Sequence, residues 1–274
     1  MNPATVPILM YHSVSEEPTT ATRRLSVRPA EFERQLGLLS ELGYRSISFG
    51  ALVRSWRMAR RDGGSQPLLP ERPVVLTFDD GYADFHSEVL PRLERYQATA
   101  TLFATTGWVA SAGQAEAEGR LAPMLNWSQL REITSTGVEV GAHSHSHPEL
   151  DRISARELRR QVGLCKDLLD SVLEQNTDVF CYPYGYSDVR VRESVRGAGY
   201  IGACVVGNAM ARYSQGPYAM TRMTIDRHTS LQKVKDIVEG RSVSRLFLKE
   251  RALTKSYAVF RRSRNSMARS RGDG

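Results

Sequence analysis

The hydrophobic and polar positions of this chain divide it into short apolar runs separated by longer segments in which apolar residues recur every third or fourth position. The short runs, bounded by turn residues, are typical of buried strands, and the periodic segments are typical of amphipathic helices. The pattern predicts strands at residues 7–12, 44–49, 74–78, 99–105, 137–143, 179–182, 200–206 and 219–225. It predicts helices at residues 29–42, 51–60, 83–96, 128–136, 155–173, 187–196 and 231–239.

This regular alternation of strands and helices predicts an α/β fold built on a parallel sheet. About seven repeats favour a sheet that closes into a TIM-like (β/α) barrel of seven or eight strands. A doubly wound open sheet is the competing architecture. No GxGxxG motif follows any predicted strand, which removes the usual dinucleotide-binding reason for an open sheet.

Composition narrows the class of protein. The chain has 274 residues, is 41% hydrophobic and has a mean hydropathy of −0.37, which suits one large globular domain. Its three cysteines are widely spaced and form no CxxC, so we expect reduced, buried thiols. No apolar stretch approaches the roughly 18 residues of a membrane span, and the N-terminus lacks the features of a signal peptide. These features predict a cytoplasmic protein.

The positive charge is concentrated at the C-terminal end. The net charge is +7, but residues 241–274 contain ten Lys or Arg and two acids, so residues 1–240 are almost neutral. From Arg245 the tail fits a basic amphipathic helix with Leu246, Leu253, Tyr257 and Phe260 on one stripe, which would contact an anionic membrane surface. The equal alternative is a last helix packed on the barrel, followed by a disordered basic end. We expect no nucleic-acid partner, because no recognised binding module accompanies the charge.

Two adjacent carboxylates, Asp79 and Asp80, end the strand predicted at 74–78, and Gly81 supplies the turn. Neighbouring carboxylates at the end of a buried strand repel, so each pKa rises unless a cation or hydrogen-bond donors compensate. A metal ion bound by one aspartate, with the other free as a general base, explains the pair. A simple Asp-Gly turn with one exposed carboxylate is the alternative.

Three of the six histidines lie within residues 143–147, directly after the strand predicted at 137–143. His143 and His147, four residues apart, can point the same way from one helical turn and chelate one ion, with His145 as a spare. With Asp80 they form a set of two histidines and one carboxylate, typical of catalytic zinc or a similar divalent metal. A solvated histidine-rich loop is the alternative, and it is disfavoured because both groups follow strands that end at one rim.

A third strand end carries the sequence YPYG at residues 182–185. Such a rigid turn can direct a backbone N–H toward a developing oxyanion. Taken alone, a Pro-Gly turn with packing tyrosines is the simpler explanation.

The motifs TFDDG at 77–81, HSxxH at 143–147 and YPYG at 182–185, in this order and spacing, resemble the polysaccharide deacetylases of carbohydrate esterase family 4, the NodB-homology domain. The resemblance covers roughly residues 8–240. It implies a distorted (β/α) barrel, so we expect a deacetylase domain over residues 1–240, and the charge pattern adds a basic helix and tail at 241–274. It also implies removal of acetyl groups from N-acetylhexosamine residues of a polysaccharide, or of its lipid-linked or oligosaccharide precursor. The alternatives are an inactive metal-containing carbohydrate-binding protein and a deacylase of a non-polymeric amide or ester.

The resemblance also assigns roles to individual residues. It implies that Asp80, His143 and His147 bind a divalent metal, Zn²⁺ with Co²⁺ or Ni²⁺ as alternatives. It implies that Asp79 is the general base and that the backbone N–H of Tyr184 contributes to the oxyanion hole.

The chain departs from the family pattern at two positions. Cys181 stands where the third motif usually has the arginine that pairs with the catalytic aspartate, and Arg222, on a late predicted strand, is the candidate replacement. No Leu-x-x-His lies near the C-terminal end, where the family often carries its general-acid histidine. His12, after the first predicted strand, resembles the acid of a rearranged branch that includes biofilm poly-N-acetylglucosamine deacetylases, and His228 is its rival.

Overall fold

The computed structural model of the protein describes residues 5–63, 66–110 and 119–248. Its strands are β1 (Thr5–Val6), β2 (Ile8–Tyr11), β3 (Ser13–Val14), β4 (Ser26–Val27), β5 (Arg45–Ile47), β6 (Pro73–Phe78), β7 (Thr101–Ala104), β8 (Glu139–Ala142), β9 (Val179–Cys181), β10 (Gly202–Val206), β11 (Ala211–Arg212) and β12 (Met220–Thr224). Its α-helices are α1 (Pro29–Glu41), α2 (Phe49–Arg61), α3 (Leu90–Arg95), α4 (Trp127–Ser135), α5 (Ala155–Leu173), α6 (Val189–Gly197), α7 (Leu231–Val238) and α8 (Val243–Leu246).

The main sheet is parallel and closes on itself. Its strands run in the order β2-β12-β10-β9-β8-β7-β6, and β6 pairs again with β2 to complete a ring. β5 also pairs with β6 but stands outside this ring. The predicted (β/α) barrel is therefore confirmed, with seven strands in the closed ring, and the open sheet is excluded. Two short pairs, β1 with β11 and β3 with β4, were not predicted.

Side chains alternate between the inside and the outside of the barrel. In β6, Val75 packs in the inner cluster, whereas Leu76 and Phe78 pack in the cluster between the strands and the helices. Because side chains on a strand alternate with a period of two, Thr77 and Asp79 follow Val75 toward the interior. The strand thus delivers one of its two aspartates into the barrel.

Helix α2 covers the end of the barrel where the strands begin. Its first amide, Phe49 N–H, donates to Thr101 Oγ1 at 2.8 Å, and the next, Gly50 N–H, donates to Glu139 Oε2 at 2.8 Å. Trp56 from the same helix is fully buried in the inner cluster. The open end of the barrel is therefore the carboxyl end of the strands, which is where barrel enzymes place their active sites.

Two local predictions differ from the structure. The strand predicted to continue to residue 49 ends at Ile47, because the Ser48 side chain accepts a hydrogen bond from Ala51 N–H and starts α2. The helix predicted at 83–96 divides into a π-helical turn, Phe85–Val89, and α3. Pro91 lies at this junction, and it lacks the N–H that a continuous helix would use.

The predicted basic helix lies almost wholly outside the described residues, which end at 248. Only residues 245–248 of the predicted helix are described, so the membrane contact and the domain division at residue 240 stay predictions. Among the helices that are described, none has both the length and the apolar character needed to cross a membrane.

Candidate metal and catalytic site

Four strands of the ring place polar side chains in the interior at the carboxyl end. Asp79 follows β6, His143 follows β8, Cys181 ends β9 and Arg222 lies in β12. All four side chains are buried. Charged groups so deep in a protein need partners at hydrogen-bonding distance, and this site supplies them.

Asp79 and Arg222 form a two-point ion pair. Arg222 Nη1 donates to Asp79 Oδ1 at 2.6 Å, and Nη2 donates to Oδ2 at 2.7 Å. Burial alone raises the pKa of Asp79, but the charge and hydrogen bonds of Arg222 outweigh it, and the pKa lies below its ordinary value. Asp79 is therefore ionised at neutral pH and held in a fixed orientation.

Two further side chains complete this interior pair. Arg222 Nη1 also donates to Thr77 Oγ1 at 3.0 Å. Arg222 Nη2 contacts Cys181 Sγ at 3.0 Å, and the thiol lies 3.5 Å from Asp79 Oδ2. The Arg222 guanidinium therefore reaches Asp79 from β12. It lies beside Cys181, the residue at the position where the family motif usually has its arginine. The alternation that places Thr77 on the Asp79 face was visible in the sequence, but its contact with Arg222 was not.

The predicted metal ligands lie together at the rim. His143 Nε2 lies 3.4 Å from Asp80 Oδ1, and His147 Nε2 lies 3.5 Å from the same oxygen. The three ligand atoms all lie within 4.8 Å of one another. The sequence predicted this set of residues, and the structure brings all three together.

The ring of His143 is oriented by a backbone carbonyl. Its Nδ1 lies 2.8 Å from the Cys181 carbonyl oxygen. Because a carbonyl only accepts, Nδ1 carries a proton, and Nε2 is the nitrogen that lies toward Asp80. Metal-binding histidines are commonly held in this way.

The second histidine is also suited to bind a cation in its neutral form. Burial, followed by the charge of His143, lowers the pKa of His147 to about 4. Its backbone N–H donates to Ser144 Oγ at 3.0 Å, which fixes the loop that carries it. His147 is thus an uncharged ligand at neutral pH.

The backbone of the site adopts left-handed conformations that side chains usually avoid. Positive φ angles occur at Asp80 (77°), Ser144 (66°), His147 (57°) and Tyr184 (59°). These are four of the eight such non-glycine residues in the described part of the chain. Backbone strain of this kind concentrates at functional sites. The expected helical turn between the two histidines is wrong: the loop bends through the positive φ angles of Ser144 and His147.

His145 does not belong to the ligand set. Its Nδ1 lies 3.0 Å from Thr106 Oγ1, and its carbonyl accepts from Gly107 N–H. Within the described residues it anchors the histidine loop to the segment after β7. His145, the spare histidine of the sequence prediction, therefore holds the loop in place and is not one of the candidate metal ligands.

The two candidate acid histidines differ in position. His12 directly follows β2, is half-buried, and its charge is among the influences that lower the pKa of both Asp79 and Asp80. Its buried Nδ1 has no hydrogen-bond partner in the described part of the chain. His228 is exposed in the turn after β12, where its backbone N–H donates to Asp226 Oδ1 at 3.0 Å. The structure therefore places His12, and not His228, beside the aspartate pair.

Aromatic rings border the rim on one side. The ring of Trp108 stacks on His147 with centroids 4.9 Å apart, and the ring of Tyr184 meets His147 edge-on at 4.6 Å. Tyr184 is 54% exposed, and its backbone N–H makes no hydrogen bond among the described residues. That N–H is available to an incoming ligand. Trp108 was not predicted as part of the site, although its place just after β7 puts it at the same rim.

The donor chemistry of the rim set fits a divalent metal. Two imidazole nitrogens and one carboxylate form a ligand set that leaves coordination positions open. Burial raises the pKa of Asp80, but hydrogen bonding to His143 and the charges of the histidines lower it overall, so the carboxylate is ionised. A second group of metal-binding residue types, Asp79, His143 and Cys181, also lies close together. It does not fit, because Arg222 occupies both oxygens of Asp79.

Comparison with known proteins gives a consistent result. A family model described as polysaccharide deacetylase matches residues 68–203. A putative polysaccharide deacetylase, YxkH of Bacillus subtilis, is 27% identical over 223 residues, which is 81% of this chain and 72% of YxkH. The poly-β-1,6-N-acetyl-D-glucosamine N-deacetylase of Escherichia coli is 28% identical, covering 82% of this chain and 37% of that enzyme.

Solved structures agree with the barrel. The deacetylase PplD of Streptococcus pyogenes, in complex with acetate, has a TM-score of 0.75 and 27% identity, over 86% of this chain and 99% of that one. IcaB of Ammonifex degensii has a TM-score of 0.71, over 86% of this chain and 97% of that one. At 21% identity, the IcaB likeness concerns the fold alone.

Proposed function

This chain belongs to the polysaccharide deacetylase family, and we propose that it is a metal-dependent hydrolase that removes acetyl groups from N-acetylhexosamine residues of a glycan. The observation that carries the proposal is the pairing of two differently supported carboxylates. Asp79 is held ionised by Arg222, and the carboxylate of Asp80 lies beside the imidazoles of His143 and His147. A metal-dependent hydrolase uses both a fixed base and a cation site, and the candidate residues for the two are consecutive in the sequence.

Asp80, His143 and His147 would hold the metal, and Zn²⁺ is the ion we propose because two imidazoles and a carboxylate are a common catalytic zinc set. When bound there, such an ion polarises the acetamido carbonyl and lowers the pKa of a water molecule. The His143 ring is already held for this purpose by the Cys181 carbonyl. Chelation of the metal should therefore remove activity.

Asp79 acts as the general base in this proposal. It accepts the proton of the attacking water, whose oxygen forms a bond to the acetamido carbon. Arg222 holds the Asp79 carboxylate by hydrogen bonds inside the barrel, and Thr77 accepts a hydrogen bond that holds Arg222 in turn. Each carboxylate oxygen keeps a second lone pair, which can accept the proton of the water.

Tyr184 and His12 take the remaining two roles. The unbonded backbone N–H of Tyr184 donates to the carbonyl oxygen as negative charge develops on it. His12 gives a proton to the sugar nitrogen as the carbon–nitrogen bond breaks, so that the products are acetate and a free amine. Its position at the end of β2, beside both aspartates, supports this role.

The substrate we propose is a polymer of N-acetylhexosamine or its lipid-linked or oligosaccharide precursor. Support comes from the names of the relatives, of which the Escherichia coli enzyme acts on poly-β-1,6-N-acetyl-D-glucosamine. The exposed ring of Tyr184 beside the ligand histidine offers an apolar surface suited to a sugar face.

The test is release of acetate from a panel of β-1,4- and β-1,6-linked N-acetylglucosamine oligomers, N-acetylglucosamine monomer, O-acetylated xylan and a simple aryl acetamide. We expect release from N-acetylated oligomers with added Zn²⁺, none after chelation, and recovery when Zn²⁺ is restored. Binding of the oligomers without any acetate release would instead identify an inactive carbohydrate-binding protein. Activity confined to xylan or to the aryl acetamide would also refute the proposal.

A further inference from the structure

Tyr82 carries a buried hydroxyl that no described residue satisfies. The residue follows Gly81 at the end of the aspartate motif and is 1% exposed. Its hydroxyl makes no hydrogen bond in the described part of the chain. Buried hydroxyls are nearly always paired, because leaving one without a partner is costly. The position of Tyr82 therefore calls for a functional explanation.

The side chain lies next to the proposed metal set. Its ring packs in a small buried cluster with Trp108 and Met124. Trp108 in turn stacks on the ring of His147. The Tyr82–Trp108 cluster thus backs one metal ligand from outside, while the backbone of Tyr82 is only two residues from the ligand Asp80.

The Asp80 carboxylate acts on the Tyr82 hydroxyl both through its charge and as a hydrogen-bonding neighbour. Because a carboxylate can only accept, the hydroxyl is the donor of any hydrogen bond between them. Asp80 uses a single oxygen, Oδ1, in its approaches to the two histidines, 3.4 Å from His143 and 3.5 Å from His147. The rest of that carboxylate is available to a hydrogen-bond donor.

We propose that the Tyr82 hydroxyl donates a hydrogen bond to the Asp80 carboxylate when a divalent metal occupies the site, and so sets the affinity for that metal. Carboxylates that bind metals are generally hydrogen-bonded by a neighbouring donor, which fixes their orientation. Tyr82 is a positioning residue in this scheme, since it acts through Asp80. The inference rests on the metal set of the proposed function, but it does not depend on which substrate is used.

The test compares Tyr82→Phe with wild-type protein in two measurements that need no substrate. The first is the dissociation constant for Zn²⁺, by competition with a chromophoric chelator. We expect it to rise about ten- to a hundredfold. The second is thermal unfolding of the metal-free protein. We expect no loss of stability there, because the hydroxyl has no partner to lose.

Tyr200→Phe is the matched control. Tyr200 is also buried, and its hydroxyl donates to the Val162 carbonyl at 3.1 Å, on helix α5. This variant should unfold at a lower temperature and keep its affinity for Zn²⁺, the reverse of the result expected for Tyr82→Phe.

An unchanged Zn²⁺ dissociation constant in Tyr82→Phe would overturn the inference. So would an equal weakening in Tyr200→Phe, which would point to a general loss of packing. A raised KM at saturating Zn²⁺ with unchanged metal affinity would assign the hydroxyl to the substrate instead, and would also overturn it. A protein whose affinity for Zn²⁺ depends on Tyr82 as expected, but which releases no acetate, would refute the proposed function alone.

Discussion

Asp79 and Asp80 are consecutive residues with opposite surroundings. Asp79 continues the inward alternation of β6 and meets a guanidinium that is itself completely buried. Asp80 adopts a φ of 77°, turns to the rim and meets two imidazoles. Asp79 is paired with a cation of the protein itself, the Arg222 guanidinium. Asp80 has no such partner and lies beside two imidazoles that could bind a metal ion together with it.

This difference explains how two adjacent carboxylates are tolerated at the end of a buried strand. Their mutual repulsion is offset because each turns to different partners, Asp79 to the Arg222 guanidinium and Asp80 to the imidazoles of His143 and His147. The arrangement also separates two kinds of change. Disturbing the Asp79 side should impair chemistry and leave metal bound, whereas disturbing the Asp80 side should remove the metal.

The largest expected effect comes from substituting one residue on each side. Asp79→Asn should lower turnover by about 10³–10⁴-fold, the upper range for loss of a general base, and should retain metal. His143→Ala should lose both turnover and metal, because it removes a ligand. The measurements are acetate release and metal content by mass spectrometry after gel filtration. If both variants lost metal equally, the division between the two aspartates would be wrong.

The next largest effect concerns His12, the proposed proton donor. His12→Gln should lower turnover by about 10²–10³-fold and leave metal content unchanged, since its ring lies beside both carboxylates but is not a proposed ligand. His228→Gln is the control, because that side chain is exposed. The steady-state rates at several pH values decide between them. A loss of rate in His228→Gln, with His12→Gln fully active, would reverse the assignment.

Removing the Arg222 guanidinium should give a smaller loss of turnover and a shift in the pH dependence of the rate. Arg222→Met leaves Asp79 buried without its partner, so the pKa of Asp79 should rise, and turnover should fall about ten- to a hundredfold at neutral pH. The acid limb of the pH–rate profile should move to higher pH. Breaking a buried pair on one side typically costs about 3–5 kcal/mol of stability.

The sign of the stability effect follows from the same pKa values. In the wild-type protein the pKa of Asp79 is lowered, so its contribution to stability is present at neutral pH and is lost as the pH falls through the folded-state pKa. In Arg222→Met, protonation of Asp79 removes an unpaired buried charge, so the protein regains part of its stability at low pH. Urea unfolding should therefore show a large difference between the two proteins at pH 7 and a smaller one near pH 4. Unchanged turnover and an unchanged pH–rate profile in Arg222→Met would reject the role of Arg222.

The smallest effect concerns Asp84, a third carboxylate of the same segment. It is paired neither with an arginine nor with the proposed metal ligands. Burial raises the pKa of Asp84 to about 6, although Ser13 Oγ donates to its Oδ2 at 2.5 Å. A raised folded-state pKa means that stability is lost as the pH rises through it. Asp84→Asn should therefore gain up to about 3 kcal/mol at pH 8 and clearly less at pH 5, with activity unchanged. Urea unfolding at both pH values checks this, and an equal gain at both would contradict it.

Much of the fold was predictable because its elements repeat a simple pattern. The apolar run 74–78 and the periodic segment 155–173 correspond to β6 and α5, and the strand–helix alternation predicted the barrel. The boundaries that failed depend on single local interactions. The Ser48 cap moved the start of α2, and Pro91 divided the helix after the aspartates.

The candidate site was predictable as a set of strand ends but not as a set of contacts. Asp80, His143 and His147 follow two apolar strands, and parallel strands end at one rim. The conformation that joins the two histidines was not predictable, because left-handed φ angles at Ser144 and His147 have no signature in residue type. The partner of Asp79 could only be a hypothesis, since nothing local links residue 79 to residue 222.

The ion pair between Asp79 and Arg222 joins positions 143 residues apart, and this has a consequence for how the protein acquires its function during synthesis. β12 is the last strand to enter the ring, so a nascent chain that has made only the first six ring strands already contains the base but not its guanidinium. In such a chain the carboxylate has no reason to stay in the apolar interior, and ring closure is disfavoured until residue 222 arrives. Catalytic competence and closure of the barrel should therefore appear together, as a single late event in folding.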